Sequence, residues 1–562
     1  MREVFLLILI SWAAHAQVRR DETITTYRNA KRIVWQSDQG IEGLSQLLSQ
    51  NSGQTVLSNE GVVKLKSKKG ALPGFLLDFG QEVHGGLEIV TGMYPGNKPI
   101  KLRVRFGESV GEAMSDHGSS ATNDHAMRDM EVSVPWLGKI RIGDTGFRFV
   151  RIDMLDENQD LYLREVNAAV VMRDLPYLGS FHSSDSMLNQ IWQTGAYTVH
   201  LNLQDYLWDG IKRDRLVWVG DLHPEVSTVM AVFGDLEVVK KSLDLARKTT
   251  PLPEWMNGIS TYSMWWLIIQ RDWFRQYGDL TYLKEQEDYL KSLLKHLMNK
   301  VDVDGREKLD GNRFLDWPTS NNKRAVDVGL QAMMIWTLEA GAELCKVLED
   351  VELEKECKNL RNKMLRAKPE FTENKQATAL LALAGSLDAK SASRNIIEKG
   401  GADGFSTFYG YYMLEAMAKG ERVPEALKII KEYWGGMINM GATSFWEDFD
   451  LKWTEGSTRI DEMTVRGKKD IHGDFGDYCY VGYRHSLCHG WASGPTAFLS
   501  KYVLGVNVID KDTVEIKPEL GHLSYAEGTY PTSKGILKIR HEKGRDGKVK
   551  TTFEAPAGLI VN

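Results

Sequence analysis

The hydrophobic period of this chain changes twice, and the two changes divide it into three parts. Between residues 20 and 175 apolar and polar residues alternate, as in Leu102-Arg103-Val104-Arg105-Phe106 and Phe147-Arg148-Phe149-Val150-Arg151-Ile152. His84-Gly85-Gly86 and Tyr94-Pro95-Gly96-Asn97 read as turns between short strands, so this part is expected to be an N-terminal β-sandwich domain. Within it the polar stretch Ser115–Asp129 reads as a long loop. From Ser184-Asp185, a helix cap ahead of the apolar face Leu188, Ile191, Trp192 and Val199, the spacing becomes helical as far as residue 505. About twelve helices are expected, beginning near 185, 222, 236, 260, 279, 325, 351, 376, 388, 408, 423 and 490. Paired as antiparallel hairpins, that number closes into an (α/α)6 barrel over 176–505, with the loops at one end forming a cavity. After Leu504-Gly505 alternation returns in Val514–Lys517 and Gly535–Arg540, predicting a small C-terminal β domain over 506–562. A chain of 562 residues has length for such a multidomain plan.

Trp208-Asp209-Gly210-Ile211-Lys212-Arg213-Asp214-Arg215-Leu216-Val217-Trp218-Val219-Gly220-Asp221 falls between two of these helices. It crowds carboxylates, basic residues and two indoles between glycines, which marks an irregular loop. Tryptophan is a poor choice for a solvated linker, and unpaired charge is costly to bury. A partly dry site with paired charges satisfies both conditions; so does an Arg–Asp network that merely pins the loop. Three more stretches share the character: Arg313-Phe314-Leu315-Asp316-Trp317-Pro318, Gly441–Phe449 with Trp446-Glu447, and Tyr480–Gly494 with His485, His489 and Trp491. A single acid–tryptophan pair is adequately explained as a helix cap. Its recurrence in inter-helix loops fits a pocket of carboxylates walled by rings. Glycosidic hydrolysis needs two carboxyl groups, one to protonate the leaving oxygen and one, ionised, to activate water or attack the sugar. Burial beside apolar rings favours the protonated partner.

Other chemistries fit less well. The chain has no Gly-x-Ser-x-Gly elbow, Walker loop, Gly-x-Gly-x-x-Gly or His-Glu-x-x-His. His485 and His489 stand four apart, but no acid is close to them in sequence, which argues against zinc. Lys+Arg 70 against Asp+Glu 76 gives a net charge of -6, pointing to neither nucleic acid nor a membrane surface. Sixteen tryptophans and twenty tyrosines suit stacking on sugars, as they also suit a large core. Arg2, the apolar run Val4–Trp12 and Ala14-His15-Ala16 read as a signal peptide over 1–16, too short to span a bilayer, so a soluble exported protein, periplasmic or secreted, is expected. The four cysteines, Cys345, Cys357, Cys479 and Cys488, are expected to be mostly free and buried.

The loop from Asp209 resembles the signature of the α-L-rhamnosidases of glycoside hydrolase family 78, approximately Asp-x-Pro-x-Arg-(Asp/Glu)-Arg-Leu-x-Trp-x-Gly-Asp. Here it reads Asp209, Arg213, Asp214, Arg215, Leu216, Trp218, Gly220, Asp221. Gly441-Ala442-Thr443-Ser444-Phe445-Trp446-Glu447 is similar to the family's second signature, Gly-Ala-Thr-Thr-x-Trp-Glu. Phe79-Gly80-Gln81-Glu82-Val83 and Arg148–Ile152 resemble its N-terminal β domain, and Gly179-Ser180-Phe181 its lead-in to the barrel. The resemblance implies an (α/α)6 barrel between β domains and inverting hydrolysis of terminal α-L-rhamnosyl bonds, with no cofactor or catalytic metal. By the same resemblance Asp214 falls on the general acid, Glu447 on the general base, and Asp209 and Asp221 on acids that bind rhamnose hydroxyls. Arg213, Trp218, Asp316, Trp317, Trp446 and His489 fall among substrate-binding positions. The chain departs from the pattern in three places. Asp214 is one methylene shorter than the usual Glu, Ile211 replaces Pro and Val217 replaces a frequent Gly, the last two narrowing the pocket. The alternatives these departures keep open are a related barrel glycosidase for another sugar, such as a glucosidase or uronidase, and a catalytically inactive sugar-binding protein.

Overall fold

The computed structural model describes residues 22–49, 53–116, 128–367 and 372–562. The expected signal peptide, and residues 117–127 of the stretch read as a long loop, lie outside the described residues. Asp129, at the end of that stretch, already opens the strand Asp129–Val134.

Among the described residues, nine strands in the first part join in one antiparallel sheet. Its path runs Ile41–Glu42, Val63–Lys66, Asp160–Arg173, Gly74–Thr91, Lys139–Met154, Ile100–Gly107, Asp129–Val134. Thr23–Asn29 adds to Asp160–Arg173, and Arg32–Gln36 to Gly74–Thr91. The expected turn at His84-Gly85-Gly86 is a correction: Gly74–Thr91 runs on through it as one strand, with register shifts between Asp78 and Val83 and between Gly85 and Leu87. Gly85 takes φ +139, and a Cβ there would meet Ala169 O at 2.1 Å. Glycine inside a strand marks a bulge or a close backbone approach, and here it marks both. Phe75, Leu77, Val83, Phe106, Phe147, Val150 and Leu163 build the core of this part.

Each predicted helix start has an observed helical turn within two residues of it. The helices are of two kinds. In Ser260–Tyr277, Met264, Trp265, Trp266, Leu267, Ile268 and Ile269 are all buried, so the helix is enclosed on every side. In Glu237–Thr249 only Val238, Val239, Ser242, Leu243 and Ala246 are buried, at the i, i+3, i+4 spacing of a one-sided stripe, and the lysines face outward. Enclosed helices touch one another in sequence: Leu222–Val232 meets Ser260–Tyr277, which meets Lys323–Val347, then Lys375–Leu383, then Gly410–Lys419, then Gly494–Phe498, which returns to Leu222–Val232.

After Gly505 the strands form two small sheets. Val506–Asp510, Thr513–Ile516 and Ile560–Val561 make one. Tyr525–Thr532, Gly535–Lys543 and Val549–Glu554 make the other, joined by Ser180–Ser183 from the lead-in to the helices. Leu523, Ala526, Tyr530, Leu537 and Ile539 belong to the same apolar cluster as the helices, so this end of the chain shares the helical core. Among the described residues no helix is long and apolar enough to cross a membrane. The four cysteines are free, three of them buried and Cys479 half-buried.

Candidate active site

The charged loop closes on itself. Asp209 N–H donates to Leu216 O at 3.1 Å, and Leu216 N–H donates to Asp209 Oδ1 at 2.9 Å. Gly490 N–H donates to Asp209 O at 2.8 Å, which stitches the loop to the His489 segment. At its tip Asp214 and Arg215 both adopt positive φ, 55° and 52°, a conformation that costs a non-glycine residue about 1–2 kcal/mol. Such strain persists only where surrounding contacts hold it. Arg213 supplies them. Its Nη1 lies 3.3 Å from Asp214 Oδ2, its Nη2 pairs with Glu447 Oε1, its Nε donates to Arg484 O at 3.0 Å, and its plane lies 5.0 Å over the Tyr480 ring. Asp214 and Glu447, 233 positions apart in the sequence, are therefore joined by one guanidinium.

Glu447 is 2% exposed. Its N–H donates to Ser486 O at 3.0 Å, its Oε2 accepts from Ser486 N–H at 3.2 Å, and its carbonyl accepts from Thr407 Oγ1 and Trp491 Nε1. Burial alone would raise its pKa, but the charges of Arg213 and His489 outweigh burial and hold it below the usual carboxylate range. His489 stands between two acids, Nε2 at 3.0 Å from Asp221 Oδ2 and Nδ1 at 3.6 Å from Glu447 Oε1. Burial works against its charge; Glu447 and Asp221 prevail and raise its pKa. Asp221 also accepts from Tyr262 Oη at 3.1 Å. Burial lifts Asp221, and it lifts Asp209 well above the ordinary value. The acids missing beside His489 in the sequence are thus present in space, brought from 268 and 42 positions away.

A cavity of about 10 Å³ lies against Glu447, lined by Asp316, Trp317, Ser406, Asp448, Tyr480 and Trp491 among others. That is the volume of a single water, too little for a sugar ring. Burial raises Asp316 to about 6 and Asp448 to about 7. Asp316 caps the turn Trp317–Thr319 and accepts from Ser406 Oγ at 3.1 Å, and Trp317 Nε1 donates to Tyr480 Oη at 2.5 Å. Trp218 is half-buried, edge-on to Tyr262. Trp446 is 1% exposed, its ring edge-on to Phe449 and His485. One expectation needs correction. Ile211, expected to narrow the pocket, packs with Leu201 and Cys488 against the first sheet at Gly146, so it fills a seam between parts of the chain.

Sequence reasoning missed Glu225, wholly buried directly beneath Gly490. Burial, then the nearby Asp221 and Asp209, raise its pKa well above the ordinary value. Its signal was an acid on the buried stripe Leu222, Val226, Val229. Lys212, Glu108 and Glu112 were missed as well. Glu108, Glu112 and His472 bring potential metal-ligand atoms within 4.8 Å of one another. The Lys212 ammonium already pairs with both carboxylates, and His472 bonds Ser109 Oγ and His485 O, so the cluster is an internal ion-pair network. A cavity of about 590 Å³ lies elsewhere, between Arg271, Tyr411, Lys501 and the strand from Val506.

The helical body of this chain is that of a six-hairpin glycosidase: residues 176–503 match the family model of the bacterial alpha-L-rhamnosidase 6 hairpin glycosidase domain. The match takes in more than half of the chain, and the chain belongs to that bacterial α-L-rhamnosidase family. No curated relative matches the sequence. Among solved structures, the family 78 rhamnosidase of Bacillus sp. GL1 is similar over 90% of this chain at 20% identity and TM-score 0.73. This chain spans 55% of that protein's length. A rhamnosidase from Klebsiella oxytoca with rhamnose bound aligns over 85% of this chain and 96% of its own, at 18% identity and TM-score 0.69. The Streptomyces avermitilis α-L-rhamnosidase complexed with L-rhamnose aligns over 89% of this chain and 49% of its own, at 17% and 0.68. At these identities the likeness establishes the fold.

Proposed function

We propose that this protein is an exported glycoside hydrolase that releases terminal α-L-rhamnose with inversion, Asp214 donating the proton and Glu447 activating water. The observation that carries the reading is the Arg213 bridge. A planar guanidinium that contacts both carboxylates keeps them within roughly 8 Å of each other. Inverting pairs stand about 6.5–9.5 Å apart, the span that admits a water, and retaining pairs about 5–5.5 Å, so the bridge is compatible with inversion and the first-formed anomer decides it. Glu447, kept ionised by Arg213 and His489, suits a base. The departing oxygen takes its proton from Asp214 while water, deprotonated by Glu447, attacks the anomeric carbon from the opposite face. Asp209, Asp221 and His489 bind sugar hydroxyls, and Trp218 and Trp317 wall the ring. The contacts that lead round the enclosed helices and back to Leu222–Val232 support closure as an (α/α)6 barrel over 176–505, between an N-terminal sandwich and a C-terminal β domain.

The test is incubation with an aryl α-L-rhamnoside and a panel of rhamnose-bearing glycans, following the first-formed anomer by NMR. Release of β-L-rhamnose supports the reading; no sugar from any substrate, with the fold intact, defeats it. A glycosidase for another sugar is the second reading, favoured by the short Asp214 and the tight cavity; products from a wider glycan panel separate the two.

A further inference from the structure

The segment from Tyr483 to Leu487 lies between the two loops that carry the proposed acid and base, and it touches both. On one side Glu447 N–H donates to Ser486 O, and Ser486 N–H donates to Glu447 Oε2. On the other side, Lys212 Nζ donates to Tyr483 O at 2.8 Å and to His485 O at 2.7 Å, and Arg213 Nε donates to Arg484 O at 3.0 Å. Lys212 is 2% exposed, so its ammonium needs counter-charge. None comes from its own loop. It comes from the first part of the chain: Glu108 Oε2 at 3.1 Å and Glu112 Oε1 at 3.3 Å, both carboxylates fully buried. Glu108 Oε2 also accepts from Leu487 N–H at 2.6 Å, and Glu112 Oε2 accepts from Glu108 N–H at 2.8 Å.

We infer that Lys212, held by Glu108 and Glu112, is a positioning residue that fixes the spacing between the Asp214 loop and the Glu447 loop. The β part of the chain thereby takes part in assembling the site without touching substrate. The inference rests on the rhamnosidase reading for its kinetic arm alone. One ammonium gathers two carbonyls of the Tyr483–Leu487 segment and two carboxylates across the seam. Arg213 and Asp214 follow it directly, so displacing Lys212 moves the proton donor. Tyr483–Leu487 leads straight to Glu447, so the same displacement moves the base.

The experiment compares wild type, Lys212→Met, Lys212→Arg and Glu108→Gln. Hydrogen–deuterium exchange is read on peptides covering 209–216, 441–449 and 483–489, and kcat and KM on an aryl α-L-rhamnoside. Lys212→Met is expected to speed exchange in all three peptides together, leaving the helices from Ser260 to Val347 unchanged. It should lower kcat by about 10–100-fold with KM within about threefold, the pattern of an interaction felt in the transition state. Lys212→Arg restores part of kcat, which a bystander would not. Should Lys212→Met fail to fold, Glu108→Gln, which keeps the side-chain shape and removes one counter-charge, carries the same exchange test. Loosening confined to 209–216, or no loosening, overturns the inference, as does a kcat within threefold of wild type. A wild type without turnover sinks the proposed function, while the exchange data alone still decide this one.

Discussion

Replacing Arg213 with methionine tests the electrostatics of the site most directly. The guanidinium pairs with Glu447 where the carboxylate is almost wholly buried, so solvent screens little of the attraction. Two unit charges at about 4 Å and an effective dielectric near 20 attract by about 4 kcal/mol, equivalent to about three pH units. His489 at 3.6 Å remains and absorbs part of the loss, so a shift of about one to two units is expected. The sign is fixed by the role. A base works ionised; its pKa in wild type is depressed, and removing Arg213 lets burial raise it. The acidic limb of the kcat/KM profile, which reports the free enzyme, should therefore move up in pH, with activity failing sooner on acidification. Arg213→Lys keeps the charge and should move the limb by less. Profiles from pH 3 to 9, taken only on variants whose circular dichroism and Tm confirm folding, provide the measurement. An acidic limb within a few tenths of a unit of wild type in folded Arg213→Met would show that Arg213 does not set the ionisation of Glu447.

Further outcomes follow from the same contacts. Asp214→Asn and Glu447→Gln should each lower turnover by about 10²–10⁴-fold, measured on variants whose circular dichroism confirms folding, since each removes a proton-transfer step; turnover within tenfold of wild type in either would remove that residue from its role. The raised pKa of Glu225 means that the stability it contributes is present below the unfolded value of about 4.3 and is lost as pH rises through the folded value. Glu225→Gln should accordingly gain Tm relative to wild type between pH 4 and pH 8, and a pH-independent difference would contradict this. A Cβ on Gly490 would sit 1.5 Å from Glu225 Oε1, so Gly490→Ala should cost about 1–3 kcal/mol in chemical denaturation, recovered in part by adding Glu225→Ala. Because the cavity beside Glu447 is smaller than a sugar, rhamnose binding should displace Tyr480 from Trp317 and shift indole fluorescence in wild type but much less in Trp317→Phe; equal shifts in both would count against that movement.

Legibility followed the range of each interaction. Helix starts were readable because the stripe that buries Val239 and Leu243 repeats within a few residues. The charged loop was readable because Asp209, Arg213, Asp214, Trp218 and Asp221 sit within thirteen positions, a density with few explanations. What was not readable depended on distant partners. His489 lacked acids in its own neighbourhood and found Asp221 and Glu447 through folding. Ile211 looked like pocket lining until the first sheet came against it. Gly85 misled for a different reason. Turns and bulges demand the same freedom from a Cβ, and only the strands paired on both sides of Gly85 distinguish them.

The pairing of Ser180–Ser183 with Tyr525–Thr532 bears on how this protein is made. Ser180 Oγ meets Thr529 Oγ1, a residue synthesised 349 positions later. A nascent chain on the ribosome thus carries a bare strand at the threshold of its helices until Tyr525–Thr532 has been made. Tyr525–Thr532 acts as a clasp: a product cut short after Gly505 would keep the helices described above yet present an open β edge beside uncovered Leu504, the kind of surface that pairs with its own copies.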